Sequence, residues 1–117
     1  MPVIRIVIVG SRSAGVDTSR LTQQLADGLG ELLNSEPGGT WVSLEYLDRD
    51  AYAENGVTLA DEVQPTFVRI LQHKMPAADE LAGEVPALTR FVSNTLQRPY
   101  ENTHLIFELD GLNCLLL

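Results

Sequence analysis

Cysteine is all but absent from the 117 residues: Cys114 stands alone, so neither an internal disulfide nor a cysteine-rich metal site can form. No histidine pairing or activating context accompanies it, and it reads as an ordinary thiol rather than a nucleophile. Basic charge is scarce as well. Eight Lys and Arg stand against sixteen Asp and Glu, a net charge of −8, and a surface of that sign excludes broad binding to a nucleic-acid backbone. Any anionic ligand must be met by a few local cations. Nothing approaches the ~20 apolar residues that span a bilayer, and a basic, cleavable leader pattern is missing. No membrane partner and a cytoplasmic location are therefore expected. His, Cys, Asp and Glu nowhere take metal-ligand spacing, so neither a metal nor another cofactor is expected.

What is present is ordinary for a folded chain, 44% hydrophobic and 21% charged, with length for a single domain over residues 1–117. Val3 to Val9 is β-branched except for Arg5 and Gly10 closes it, which predicts a strand. Asp17, Thr18 and Ser19 are N-cap candidates, and Leu21, Leu25, Leu29 and Leu32 then share a helix face. Asn34 to Gly39 stops that helix, and Trp41 to Leu47 makes a second strand, completing a βαβ unit over residues 1–63. The order recurs over residues 64–117 at a shift of 63. Leu88 then falls on Leu25, Thr103 on Thr40 and Glu108 on Glu45, while Phe67 and Ile70 fall on Ile4 and Val7. Thus PTFVRILQ is expected as a strand, a helix within Ala77 to Leu96 and HLIFEL as the last strand. Pro86 predicts a kink, or a short turn before the main helix. The fold class is α/β (α+β): two βαβ units in a four-stranded sheet, both helices on one face. The other face would show Val, Ile and Phe to water, so self-association is expected.

Two features of the first strand compete for chemistry. The loop GSRSAG lacks the Lys-Ser/Thr of a P-loop, and Asp17 would repel a phosphate at the helix start. It keeps Arg12, a natural bidentate partner for a small carboxylate. Pro2 follows Met1 directly; once Met1 is removed, it is a secondary amine that an apolar pocket can hold neutral near pH 7 as a general base. The plainer reading is that Pro2 begins an edge strand. His73 and Lys74 follow the third strand, where polar residues often mark its exit to solvent, yet either could bind an anion. Arg5 and Arg69, in strand interiors, are expected to pair with acidic residues at subunit contacts.

A start Pro, an apolar strand, an Arg- and Ser-bearing turn ten residues on and a repeated βαβ unit resemble the tautomerase superfamily. The likeness is closest to its fused members, the macrophage migration inhibitory factor, malonate semialdehyde decarboxylase and cis-3-chloroacrylic acid dehalogenase groups. It implies a homotrimer that covers the bare sheet face. It also implies keto–enol proton transfer on a small 2-oxo acid, with Pro2 as the catalytic amine and Arg12 holding the carboxylate. Tyr52 falls where 4-oxalocrotonate tautomerase has a pocket-lining phenylalanine. Ser43 replaces that enzyme's second arginine. His73, Lys74 and Pro76 occupy the neighbourhood where the dehalogenase and decarboxylase groups carry an arginine pair, and Glu54 is the candidate water-activating carboxylate. A same-fold hydratase, dehalogenase or decarboxylase with Pro2 as acid is one alternative. A non-catalytic trimer or heteromeric subunit is the other.

Overall fold

The computed structural model describes residues 2–109; Cys114 lies outside the described residues. Four strands, β1 (Val3–Val9), β2 (Trp41–Leu47), β3 (Thr66–Gln72) and β4 (Thr103–Leu109), and two helices, α1 (Thr18–Leu32) and α2 (Ala78–Leu96), follow the expected order. The sheet order is β2-β1-β3-β4, parallel within each βαβ unit. The two units join through β1 and β3, which run antiparallel with Val3 opposite Leu71 and Arg5 opposite Arg69. No helix among the described residues is long and apolar enough to cross a membrane.

Alternation along the strands sets the core. Ile4, Ile6 and Ile8 of β1 and Val68 and Ile70 of β3 are buried against Leu25 and Leu29 of α1 and Leu88 and Val92 of α2, which puts both helices on one face. Burying each such side chain contributes about 1.5–3 kcal/mol. Asp17 caps α1 by accepting from the Arg20 amide at 3.2 Å. Leu32 is exposed, against expectation, and Leu33 packs on the core in its place. Leu33 is the C-cap residue, at φ −92° and ψ 6°, where the chain leaves helical geometry just past the last turn. α2 runs unbroken through Pro86, so the expected separate turn is absent. The carbonyl that loses its donor belongs to Ala82, an exposed residue whose oxygen water can satisfy.

The repeat needs one correction. A shift of 63 superposes the buried pairs Leu25 on Leu88 and Leu29 on Val92, and the left-handed residues Asn34 and Gln97, both at φ 54°. Between β1 and β3, however, a shift of 63 would place buried Ile4 on Phe67, which lies on the opposite face. Helix-facing residues are even-numbered in both strands, so their shift must be even, since a one-residue slip exchanges faces. At a shift of 64 Arg5 matches Arg69, while β2 and β4 keep the shift of 63, so equivalent ion pairs form: Arg5 bonds Glu45 at 3.0 Å and Arg69 bonds Glu108 at 2.8 Å. These bridges lie within one chain rather than between subunits as expected. They share the helix-free face with Val3, Trp41, Phe67, Leu71 and Ile106, of which Trp41 is 54% exposed and Val3 36%.

Gly28 lets α1 approach α2, since a Cβ there would overlap the Phe91 ring, whereas a Cβ on Gly83 meets open space. Gly28→Ala should cost about 1–3 kcal/mol in urea denaturation, relieved in Gly28→Ala/Phe91→Leu. Gly83→Ala, in the exposed part of α2, should add about 0.5–1 kcal/mol.

Candidate active site

Pro2 is half-buried and leads into β1, its carbonyl accepting from the Trp41 amide at 3.1 Å. It lines a recess of about 460 Å³ with Leu33, Asn34, Ser35, Glu36, Pro37, Gly38 and Gly39. The loop wraps closely because Gly38 adopts φ 78° and a Cβ on Gly39 would press on Ser35 Oγ and the Glu36 carbonyl. On the other side, one step beyond the Val3–Leu71 pair, the antiparallel register sets Gln72 opposite Pro2, with His73 and Lys74 directly following. Lys74 lines a neighbouring recess with Met75, Pro76, Ala77 and Glu80.

Two residues of this neighbourhood have no signal in the sequence. Gln72 Nε2 is buried without a hydrogen-bond partner among the described residues, an unsatisfied donor just beyond the Val3–Leu71 pair. Among the described residues, Glu36 is the one ionisable side chain in the lining of the Pro2 recess. A carboxylate there favours the cationic form of a nearby amine.

The remaining sequence candidates lie at the opposite end of the sheet. Arg12 is exposed in the loop leaving β1 and donates through Nη1 to Thr18 Oγ1 at 3.2 Å. At ~3.3 Å per residue, the seven-residue β1 holds Pro2 and Arg12 more than ~20 Å apart. Tyr52 follows a short 3-10 turn (Arg49–Ala51) and stands on the Phe67 ring, centroids 5.8 Å apart. Its hydroxyl donates to Glu54 Oε2 at 2.7 Å. That bond pushes the Tyr52 phenol above its ordinary value, with burial and repulsion from the Glu54 charge acting in the same direction. Glu54 therefore orients Tyr52 and is remote from Pro2 within the chain. No group of three or more His, Cys, Asp or Glu placed to hold a metal ion occurs among the described residues.

No protein-family model and no curated protein matches the chain. Solved structures do. Pt0534 inactivated by 2-oxo-3-pentynoate superposes with a TM-score of 0.71 at 13% identity, covering 92% of this chain and 84% of its own. A fused 4-OT symmetric trimer gives 0.63 at 14%, covering 91% and 83%. The macrophage migration inhibitory factor homologue from Prochlorococcus marinus gives 0.61 at 22%, covering 91% and 86%. These are tautomerase-superfamily structures, and the four-stranded sheet with two helices is their fold.

Glu54→Gln should lower the Tyr52 pKa toward its ordinary value, read by NMR of ring-labelled tyrosine, because the carboxylate that holds the phenolic proton is gone. An unchanged titration would show that the Tyr52–Glu54 bond does not set it.

Proposed function

We propose that this chain, which has the tautomerase-superfamily fold, catalyses keto–enol proton transfer on a small 2-oxo acid with Pro2 as general base. The observation that supports this reading is the register of β1 against β3, which carries on to Gln72 opposite a recessed Pro2 and leaves His73 and Lys74 at the same end of the sheet. After removal of Met1, the neutral Pro2 nitrogen takes a proton from the carbon next to the 2-oxo group. The carbon–hydrogen electron pair moves into the new carbon–carbon double bond, and negative charge builds on the 2-oxygen. The same proton returns to that oxygen to give the enol, and the reverse sequence ketonises it.

Each neighbour has a task in that cycle. Lys74, with His73, holds the substrate carboxylate; Gln72 Nε2 donates to the 2-oxygen as charge develops, a place that Ser43 leaves empty of an arginine. Arg12 and Tyr52 reach a Pro2 recess only from another copy. A homotrimer supplies that copy and covers Trp41, Val3 and Phe67 on the bare face. The fused 4-OT neighbours are trimers, and Pt0534 is inactivated by a small 2-oxo acid; both facts support the reading.

A second reading has Glu36 in its favour. By stabilising cationic Pro2, Glu36 would make it an acid, as a same-fold hydratase, dehalogenase or decarboxylase requires. A chain that retains Met1 has an amide at Pro2 and would serve only as a structural subunit. The two catalytic modes differ in sign with pH. For a base, kcat/KM rises with pH through the amine pKa, and for an acid it falls.

With Met1 removed, the protein should ketonise phenylenolpyruvate. Pro2→Ala should lower kcat at least ~100-fold, and Lys74→Ala should raise KM about tenfold with a smaller change in kcat. Equal rates in wild type and Pro2→Ala would overturn the assignment. So would intact masses from the native host in which every chain keeps Met1.

A further inference from the structure

The internal repeat builds a second recess at the opposite end of the sheet, about 260 Å³ in volume, lined by Val9, Gly10, Ser11, Ser13, Arg49, Gln64, Leu96, Gln97 and Arg98. At a shift of 63 its Leu96, Gln97 and Arg98 correspond to Leu33, Asn34 and Ser35 of the Pro2 recess. The two have opposite charge. Among the described residues, Glu36 is the one ionisable side chain lining the Pro2 recess, whereas two arginines and no carboxylate line this one, in a chain of net charge −8. Pro65, which opens β3 here as Pro2 opens β1, has its nitrogen inside a peptide bond and cannot transfer a proton. This end is equipped to bind rather than to react.

Both arginines are held in place by neutral groups. Arg98 Nη1 donates to the Val9 carbonyl at 3.3 Å and to Gln64 Oε1 at 3.1 Å. Arg49 donates through Nη1 to the Val63 carbonyl at 2.6 Å and through Nη2 to the Ala60 carbonyl at 3.0 Å. Neither forms a salt bridge among the described residues, and burial pushes the Arg98 guanidinium below its ordinary value. Each guanidinium carries five N–H donors, so both have donors beyond these bonds. Gly10, at φ 124°, turns the chain away from β1 where the Arg98 guanidinium lies, its nitrogens 3.7 and 3.8 Å from where a Cβ would stand. Ser11 and Ser13 bring two hydroxyl groups to the rim. Fixed guanidinium groups with hydroxyls around a small cavity are suited to an oxyanion that accepts from several donors at once.

We propose that the Arg49–Arg98 recess binds a small doubly charged oxyanion, inorganic phosphate or a short dicarboxylate, independently of the chemistry at Pro2. The volume admits an anion of a few heavy atoms and excludes a nucleotide. Occupation would supply the negative charge these cations lack and tie the loop after β1 to the start of β3 and the end of α2.

Isothermal titration calorimetry at low ionic strength tests this with phosphate and malonate as probes and chloride and acetate as controls. One saturable site per chain is expected for phosphate or malonate, and which of the two binds identifies the chemistry. Arg98→Met should weaken binding about tenfold or more. Because Arg98 also braces the fold, Ser11→Asp provides a second variant: it leaves every arginine bond intact, adds a carboxylate at the exposed rim and should weaken binding by a similar factor. Pro2→Ala and Glu36→Gln should bind as wild type does. Absence of saturable binding by both probes overturns the proposal, as does wild-type affinity in both Ser11→Asp and Arg98→Met, or loss of binding in Pro2→Ala.

Discussion

The antiparallel pairing of β1 with β3 is the constraint on which the molecule depends. It joins two βαβ units into one sheet, merges their helix-facing isoleucines and valines into one core, and decides what stands beside Pro2. Because the pairing is antiparallel, the start of β1 meets the end of β3. The chain therefore has two ends with different equipment: Pro2, Gln72, His73 and Lys74 at one, and Arg12, Arg49, Tyr52 and Arg98 at the other. A parallel pairing would have put Pro2 beside Pro65. A slip of one residue would have turned Arg69 into the core and Ile70 to the open face.

The pseudo-symmetry is close in shape and loose in chemistry. Matching helices, left-handed caps and ion pairs recur in both halves, yet Ser35 in one recess is Arg98 in the other. Shape is preserved because the core demands it. Leu25 and Leu88 fill the same kind of gap, and neither tolerates a polar substitute. Loop residues at the sheet ends carry no such demand, so the two recesses differ in charge and in whether their proline can be an amine. The exposed ion pairs Arg5–Glu45 and Arg69–Glu108 contribute only about 0–1 kcal/mol each.

Much of the fold was legible in the sequence. A β-branched run closed by Gly10 marked β1, the segment after the Asn34–Gly39 helix stop marked β2, leucines at helical spacing marked α1, and the repeat supplied β3, α2 and β4. The offset between β1 and β3 was hidden because matching identical residues is blind to which face a side chain takes. Leu32 continues the leucine spacing of α1 and reads as core, but the helix ends on it and the core contact passes to the C-cap Leu33, a boundary that spacing does not record. At the site, Pro2, His73 and Lys74 could be picked out as chemistry-bearing types, and the register of β1 against β3 leaves them at the same end of the sheet. Arg12, Tyr52 and Glu54 were equally plausible by type and lie at the far end. Glu36 and Gln72 were missed because their significance comes only from their position next to Pro2, and no local pattern records the register that puts Gln72 there.

The central claim, that Pro2 in its recess is a reactive amine, can be tested by covalent labelling. A 2-oxo-3-alkynoic acid adds to a neutral amine by conjugate addition: the nitrogen lone pair forms a bond to the acetylenic carbon and a proton ends on the neighbouring carbon. Treating Met1-free protein with one equivalent of 2-oxo-3-pentynoate and sequencing its peptides by mass spectrometry should find one adduct per chain, on the Pro2 nitrogen, with activity lost in proportion. Labelling confined to Lys74 or other lysines, or full activity after Pro2 is labelled, would contradict the account.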